Sequence, residues 1–598
     1  MEEGAAVVLV GFASSKNEEI QQDTARALAN LCSNENLHVT LYRQGALTSI
    51  VQLIACSSDI TQRYASMALR FLSVGPEVRV SIVQDGKLEP FLLLASSPLL
   101  EYRRASAVAM AAFVLHESNK PLMVRGGCIK SLHALASEPD LAVRRDAMFA
   151  LSALSDTPEL QGDLIAGGIL QILCEVAKCS DARIQRDAAR IFANISQVNE
   201  VRTEIINQGA LPAVLTLAKS LDIASQRYST LTICNLCSSD HKVRIVDAGA
   251  IRPLIFLSRF PDSDIQRYAA LALAGLALGG QGNNKSRLVE DGCVKPLIDL
   301  LKYPDRDVQL SAVIAVAAIV LGSEQETKAA VMTEYGLQPL IELVSHQDEE
   351  LAGTAVYALG SLCENEDVKA RLVEMNAISP VVRQLTIGNV EIKRAAGYFI
   401  ATMCEEVEFH SDLSTEGALE AIISLANMED IECQEYAAFS LAHVASNRDF
   451  QVKLVALGAV RPIVAMLACD AEPKHYAGLA LLKLADNFEN HLKIAEEGGI
   501  QALLRLGRTR STDEQLQHKA ALTVGQLASN AVKLMPKNEG VAGGEMGRDR
   551  DLIGHGTRMM SKLRAQVSAE KAKNLTLQQL DLPTDTVKKL ENNPHNEK

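Results

Sequence analysis

Six arginines recur one repeat apart, at Arg63, Arg104, Arg145, Arg186, Arg227 and Arg267. A planar guanidinium takes a carboxylate or phosphate through paired hydrogen bonds, so such a row suits an extended acidic or phosphorylated segment. The row has a second reading, in which each arginine pairs with an acid of its own or the next repeat and ties repeats together. Four residues on, in the same helical stripe, stand Arg26, Phe149, Arg190, Tyr357, Tyr398 and Phe439. Four further on are Asn30, Asn194 and Asn235, then Ser361, Thr402 and His443. In this pattern Arg190 extends the basic strip and Asn194 and Asn235 hold a ligand's backbone. Tyr357, Tyr398 and Phe439 grip apolar anchors. A basic N-terminal half and an aromatic C-terminal half would then select a segment with an acidic part and an apolar part.

The residues that catalysis or metal binding would need are not grouped. Cys234 and Cys237 form a lone Cys-x-x-Cys without a second pair or a nearby histidine, and they read as inward-facing helix residues. His410, His443, His475 and His491 stand singly, and neither His-Glu-x-x-His nor Gly-x-Ser-x-Gly occurs. The loop from Gly279 to Asn284 lacks the Lys-Ser/Thr of a phosphate-binding loop and reads as a surface insertion. The expectation is a protein that is not an enzyme and needs no cofactor or metal.

What must position the arginines is a repeating helical unit. A Gly followed by apolar residues at helical spacing marks each unit, at Gly4, Gly45, Gly86, Gly127, Gly168, Gly209, Gly249, Gly292, Gly417, Gly458 and Gly498. Tyr335 and Asn376 fill two of the same places, and the landmarks return every 40 to 43 residues. That period marks helical solenoids, whose units bury their apolar faces by stacking on one another. Each unit reads as three helices. The first, such as Asn199 to Asn207, ends on the landmark, where a left-handed residue costs least in glycine. The second opens with proline in its first turn, as at Pro90, Pro253 and Pro296. Acids such as Asp59, Asp181, Asp222, Asp264 and Asp307 cap the third and longest helix.

At 598 residues the chain exceeds what one globular core usually supports, which agrees with an array. Apolar residues make up 48% of it but aromatics only 4%, and tryptophan is absent, so the core is Leu, Ala, Val and Ile. Twelve cysteines are dispersed and read as reduced, buried hydrophobes. Net charge is −14; from Ala531 onward 12 Lys and Arg face 9 Asp and Glu, so the residues before it carry −17. Nucleic acid is therefore not expected as a partner. The opening Met1-Glu2-Glu3 and the short apolar runs fit neither a signal peptide nor membrane insertion.

The Gly-Ala-Leu landmark, the Gln-Arg helix starts at Gln62, Gln185, Gln226 and Gln266, and the ending Ala29-Asn30-Leu31-Cys32 resemble armadillo repeats over residues 1–530. The resemblance implies an all-α, right-handed α-solenoid, a superhelix of about thirteen three-helix repeats with the third helices lining a groove. It is closest in character to vacuolar armadillo scaffolds and the catenin branches. It is less like importin-α, whose groove repeats tryptophan and asparagine. Vacuolar scaffolds carry an N-terminal lipid, whereas Glu2 stands where myristoylation needs glycine. The first repeat reads as incomplete, which fits either a longer product or an edge packed on something else. Residues 531–556 read as a Gly-rich charged linker, and 557–598 as a disordered tail or a short basic helix around Met560, Leu563 and Val567. The function implied is a protein-binding scaffold in the cytoplasm, with nuclear entry open. The alternatives are a structural array in a cytoskeletal or membrane-tethering assembly, acting through its ends and convex face, and a nuclear-transport adaptor.

Overall fold

The structure is a computed structural model, and it describes residues 5–238, 240–278, 284–468, 473–508, 519–527 and 530. The linker and tail expected at 531–556 and 557–598 lie outside the described residues, as does the Gly279 loop up to Asn283. Among the described residues every regular element is a helix, and the fold is an all-α solenoid. They fall into two compact units, one running through Pro253 and one from Leu254.

The landmarks do what their residue type predicts. Gly45, Gly86, Gly127, Gly168, Gly209, Gly249, Gly292, Gly417, Gly458 and Gly498 all have positive φ, and so do Tyr335 (62°) and Asn376 (55°) in the two places without glycine. The left-handed residue turns the chain from the first helix of a unit into the second. A preceding glycine serves another need at Gly167, where a Cβ would lie 2.5 Å from the Ile129 side chain.

In the N-terminal unit the third helices are Glu18–Cys32, Asp59–Val74, Leu100–Phe113, Leu141–Ser155, Ala182–Ile195 and Ile223–Cys237, each packed on the next. In the C-terminal unit the same row is Ser263–Ala277, Arg306–Val320, Glu349–Leu362, Val390–Met403, Ile431–Ser446 and Pro473–Ala485. Second helices such as Ile169–Val176 and Leu211–Leu217 lie against their own third helix and bury Leu, Ile and Val there. Each fully buried aliphatic side chain stabilises by about 1.5–3 kcal/mol, and stacking supplies the burial.

The capping acids were half legible. Asp181 and Asp222 are N-caps, accepting from Ile184 N–H and Ser225 N–H. Asp59, Asp264 and Asp307 instead lie inside the first turn, and the caps there are Ser58, Asp262 and Asp305. Where several short polar residues stand together, the chain uses the one at the end of the extended stretch.

Candidate functional site

The Gln-Arg or Arg-Arg pair near the start of six third helices is two anchors. Its first member reaches back over the preceding loop: Gln185 Nε2 donates to Cys179 O at 2.8 Å, and Arg144 Nε donates to Glu138 O at 2.9 Å. These carbonyls lie in the loop just after the second helix and would otherwise lack a partner. The second member reaches forward to the N-cap of the next unit. Arg104 donates to Asp140 at 2.8 Å, Arg186 Nη2 to Asp222 at 2.6 Å, and Arg145 holds Asp181 through Nε at 2.8 Å and through Nη2.

Each aspartate does two jobs. Asp140 caps its helix with Oδ1, bonded to Val143 N–H, and receives Arg104 on Oδ2; Asp181 divides its oxygens the same way. Hydrogen bonds from the arginines hold Asp140 and Asp181 below the usual carboxylate range. Burial opposes this at Asp222, but Arg186 and Ser225 outweigh it. Arg63 is the exception that explains the rule. Thirty-six residues after it stands Leu99 instead of an acid, and the exposed Arg63 guanidinium makes no bond among the described residues. Arg227 is buried at 2% exposure.

The C-terminal unit keeps the staple with altered residues. Arg394 pairs with Asp430 at 2.5 Å, and Asp430 is lowered to about 2, chiefly by that bond. Where the ladder position is Leu310, Arg306 takes over and binds Asp348 and Glu350, each at 2.8 Å. Arg267 lies 3.4 Å from Asp307 and donates to Tyr268 Oη.

Two expectations need correction. Asn194 and Asn235 are buried and serve the stack. Asn194 Nδ2 donates to Ser155 Oγ and Asp156 at 2.8 and 2.9 Å, and Asn235, 2% exposed, donates to Ser196 Oγ at 3.0 Å. Arg190 joins the same cluster, 2.5 Å from Asp156. The aromatic positions are also interior. Phe439 is 0% exposed and meets Tyr476 edge-on at 5.1 Å, while Tyr357 and Tyr398 are buried with their rings 6.2 Å apart. The neighbouring third helix covers them, because helix axes pack only about 8–10 Å apart.

A further ladder was not read from the sequence. Seven residues before the landmarks a polar side chain turns inward and caps the third helix just ended. His38 Nε2 lies 2.6 Å from Cys32 O, Gln161 donates to Ser155 O at 3.0 Å, and Arg202 to Ser196 O at 2.7 Å. His410, Gln451 and His491 repeat the contact at Cys404, Ala445 and Ala485. The signal was a polar residue recurring at one fixed place, seven residues before the landmark. Among the described residues no group of His, Cys, Asp and Glu is placed to hold a metal, and Cys234 and Cys237 are buried.

In the N-terminal unit the third helices border an open cavity of about 730 Å³. Arg79, Arg145, Arg183 and Arg186 line it together with Asp146, Asp187, Leu115 and Phe149. Phe149 is 38% exposed, unlike its aromatic counterparts in the C-terminal unit. Arg145 and Arg186 spend Nε and Nη2 on their aspartates, and Nη1 of each makes no hydrogen bond among the described residues. The Arg183 guanidinium has no partner there, and Arg79 Nε is buried without one. The cavity thus offers unspent cationic donors beside exposed apolar surface.

Stacked three-helix units with a left-handed hinge define the class, an α-solenoid of short helical repeats. The sequence profile of the Armadillo/beta-catenin-like repeat matches residues 199–238 and 238–278, so the chain carries armadillo-type repeats there. Its fold is similar to that of an engineered protein solved by crystallography, with a TM-score of 0.52 and 23% identity over 73% of this chain and 98% of that one. No curated protein matches the sequence. Armadillo repeats generally mediate protein–protein interaction, and solenoids built of them are typically non-enzymatic scaffolds.

Proposed function

We propose that this chain is a non-catalytic scaffold of the cytoplasm, with nuclear entry open, that binds extended acidic or phosphorylated segments of partner proteins along its third helices. The cavity beside Phe149 carries the reading, because Arg183, Arg79 and the Nη1 donors of Arg145 and Arg186 converge there without spent partners. Under this reading the two roles of the ladder coexist: one edge of each guanidinium ties repeats, and the other meets the ligand. Acidic charge over the rest of the array disfavours nucleic acid as a partner.

The test is fluorescence anisotropy with a labelled peptide of alternating glutamate and leucine, against its lysine counterpart. Arg183→Glu changes a cavity residue that holds no staple, and it is expected to weaken the acidic peptide about tenfold, or 1.4 kcal/mol. Arg63→Glu, exposed and outside the cavity, is the control and should change little. Equal binding of the acidic and lysine peptides would overturn the proposal.

A further inference from the structure

Asp187 is a half-buried carboxylate on the wall of the cavity, and it makes neither a hydrogen bond nor an ion pair among the described residues. Its surroundings are crowded with charge, part of it committed to other groups. On its own helix Arg186 is held by Asp222, and Arg190 by Asp156; Arg183 projects from the first turn. The preceding third helix presents Arg145, bound to Asp181, and the lining acid Asp146; Asp156 follows its end. Arg79 also lines the cavity, and the next third helix places Tyr228 at the register of Asp187. No histidine lines the cavity.

We infer that an anionic ligand enters this cavity together with a proton, and that Asp187 is the group that takes the proton up. The inference rests on the anion-binding reading above and concerns its regulation. An ionised carboxylate without hydrogen bonds, close to where the ligand's own carboxylate must sit, opposes binding by repulsion and by its desolvation. Protonation removes the charge and supplies an O–H donor to the incoming oxygen. Burial already raises Asp187 to about 7, despite the lowering influence of Arg190 and Arg186, so the proton is accessible near neutrality. Asp146 is raised by burial in the same direction.

The experiment uses the full chain and a glutamate-leucine peptide, whose carboxylates titrate near 4.3 and stay ionised over the whole window. Binding is followed by anisotropy from pH 6.0 to 8.5, and proton uptake by calorimetry in two buffers of different ionisation enthalpy. Wild type is expected to bind about tenfold more weakly at pH 8.5 than at pH 6.0. Asp187→Asn should bind at every pH as wild type does at pH 6.0, without proton uptake. A flat wild-type profile that still responds to Arg183→Glu would overturn the inference and leave the anion-binding reading standing. Failure of the peptide to bind at any pH would overturn both.

Discussion

At the scale of single residues, Asp187 makes a separate prediction about stability. A carboxyl raised from about 4 when unfolded to about 7 when folded holds its proton more tightly in the folded state. Its contribution is therefore present below the unfolded value and lost as pH rises through about 7. Asp187→Asn should raise the melting temperature at pH 8 by an amount on the order of 2 °C and change it little at pH 4, which thermal denaturation at both pH values measures. Tyr335 bears on the hinge in the opposite chemical sense. It is exposed with φ 62°, a conformation that costs a non-glycine residue roughly 1 kcal/mol, so Tyr335→Gly should stabilise by about that amount. Gly209→Ala should cost a similar amount although nothing lies within 4 Å of the added Cβ, because the penalty is in the backbone. The hinge was legible because a left-handed position advertises itself as glycine. The fate of Asn194 and Asn235 was not, since a stripe on one helix does not reveal how much of it the next helix covers.

At the scale of elements, the staples set how one unit is locked to the next. Asp181→Asn keeps a good N-cap and loses the charge that Arg145 needs, whereas Asp181→Ala loses both. The alanine variant should cost about 1–2 kcal/mol in denaturant unfolding, and the asparagine variant well under 1, because the Arg145 side chain is 43% exposed and its charge is screened. Acid acts on the same elements. Asp430, lowered to about 2 chiefly by Arg394, contributes stability that is complete above the unfolded value near 4 and is lost as pH falls toward 2. Replacing Arg394 with methionine should reduce that acid sensitivity in the helix Ile431–Ser446, the remainder coming from the Cys433 hydrogen bonds. The Gln-Arg signature was visible as a motif, and the arginine's bond to an acid of the next repeat, 36 residues ahead, was one of its two readings; the glutamine's bond, to a loop carbonyl six residues back, was not read, because nothing in the motif marks that carbonyl.

At the scale of the molecule, stability in a stacked array is a sum over units and their junctions, so damage stays local. Hydrogen exchange of Asp181→Ala should quicken in Leu141–Ser155 and Ala182–Ile195 and leave the helix Ile431–Ser446 unchanged. The solenoid and its period were readable because 40 to 43 residues recur along the chain with polar and apolar places preserved. The candidate cavity was readable only in part: the ladder led to Arg145 and Arg186, but Arg79 and Arg183 lie off the stripe and are brought in by the stacking.

The staples of Arg104, Arg145 and Arg186 join equivalent places, and that makes these units interchangeable cassettes. If residues 105–145 were excised, one whole period would vanish and Arg104 would again stand 36 residues before an N-cap aspartate, now Asp181 in place of Asp140. No cap is orphaned and no carbonyl is stranded by such a cut. Length in this stretch is therefore something that duplication or deletion of a whole period can change while the staple is kept.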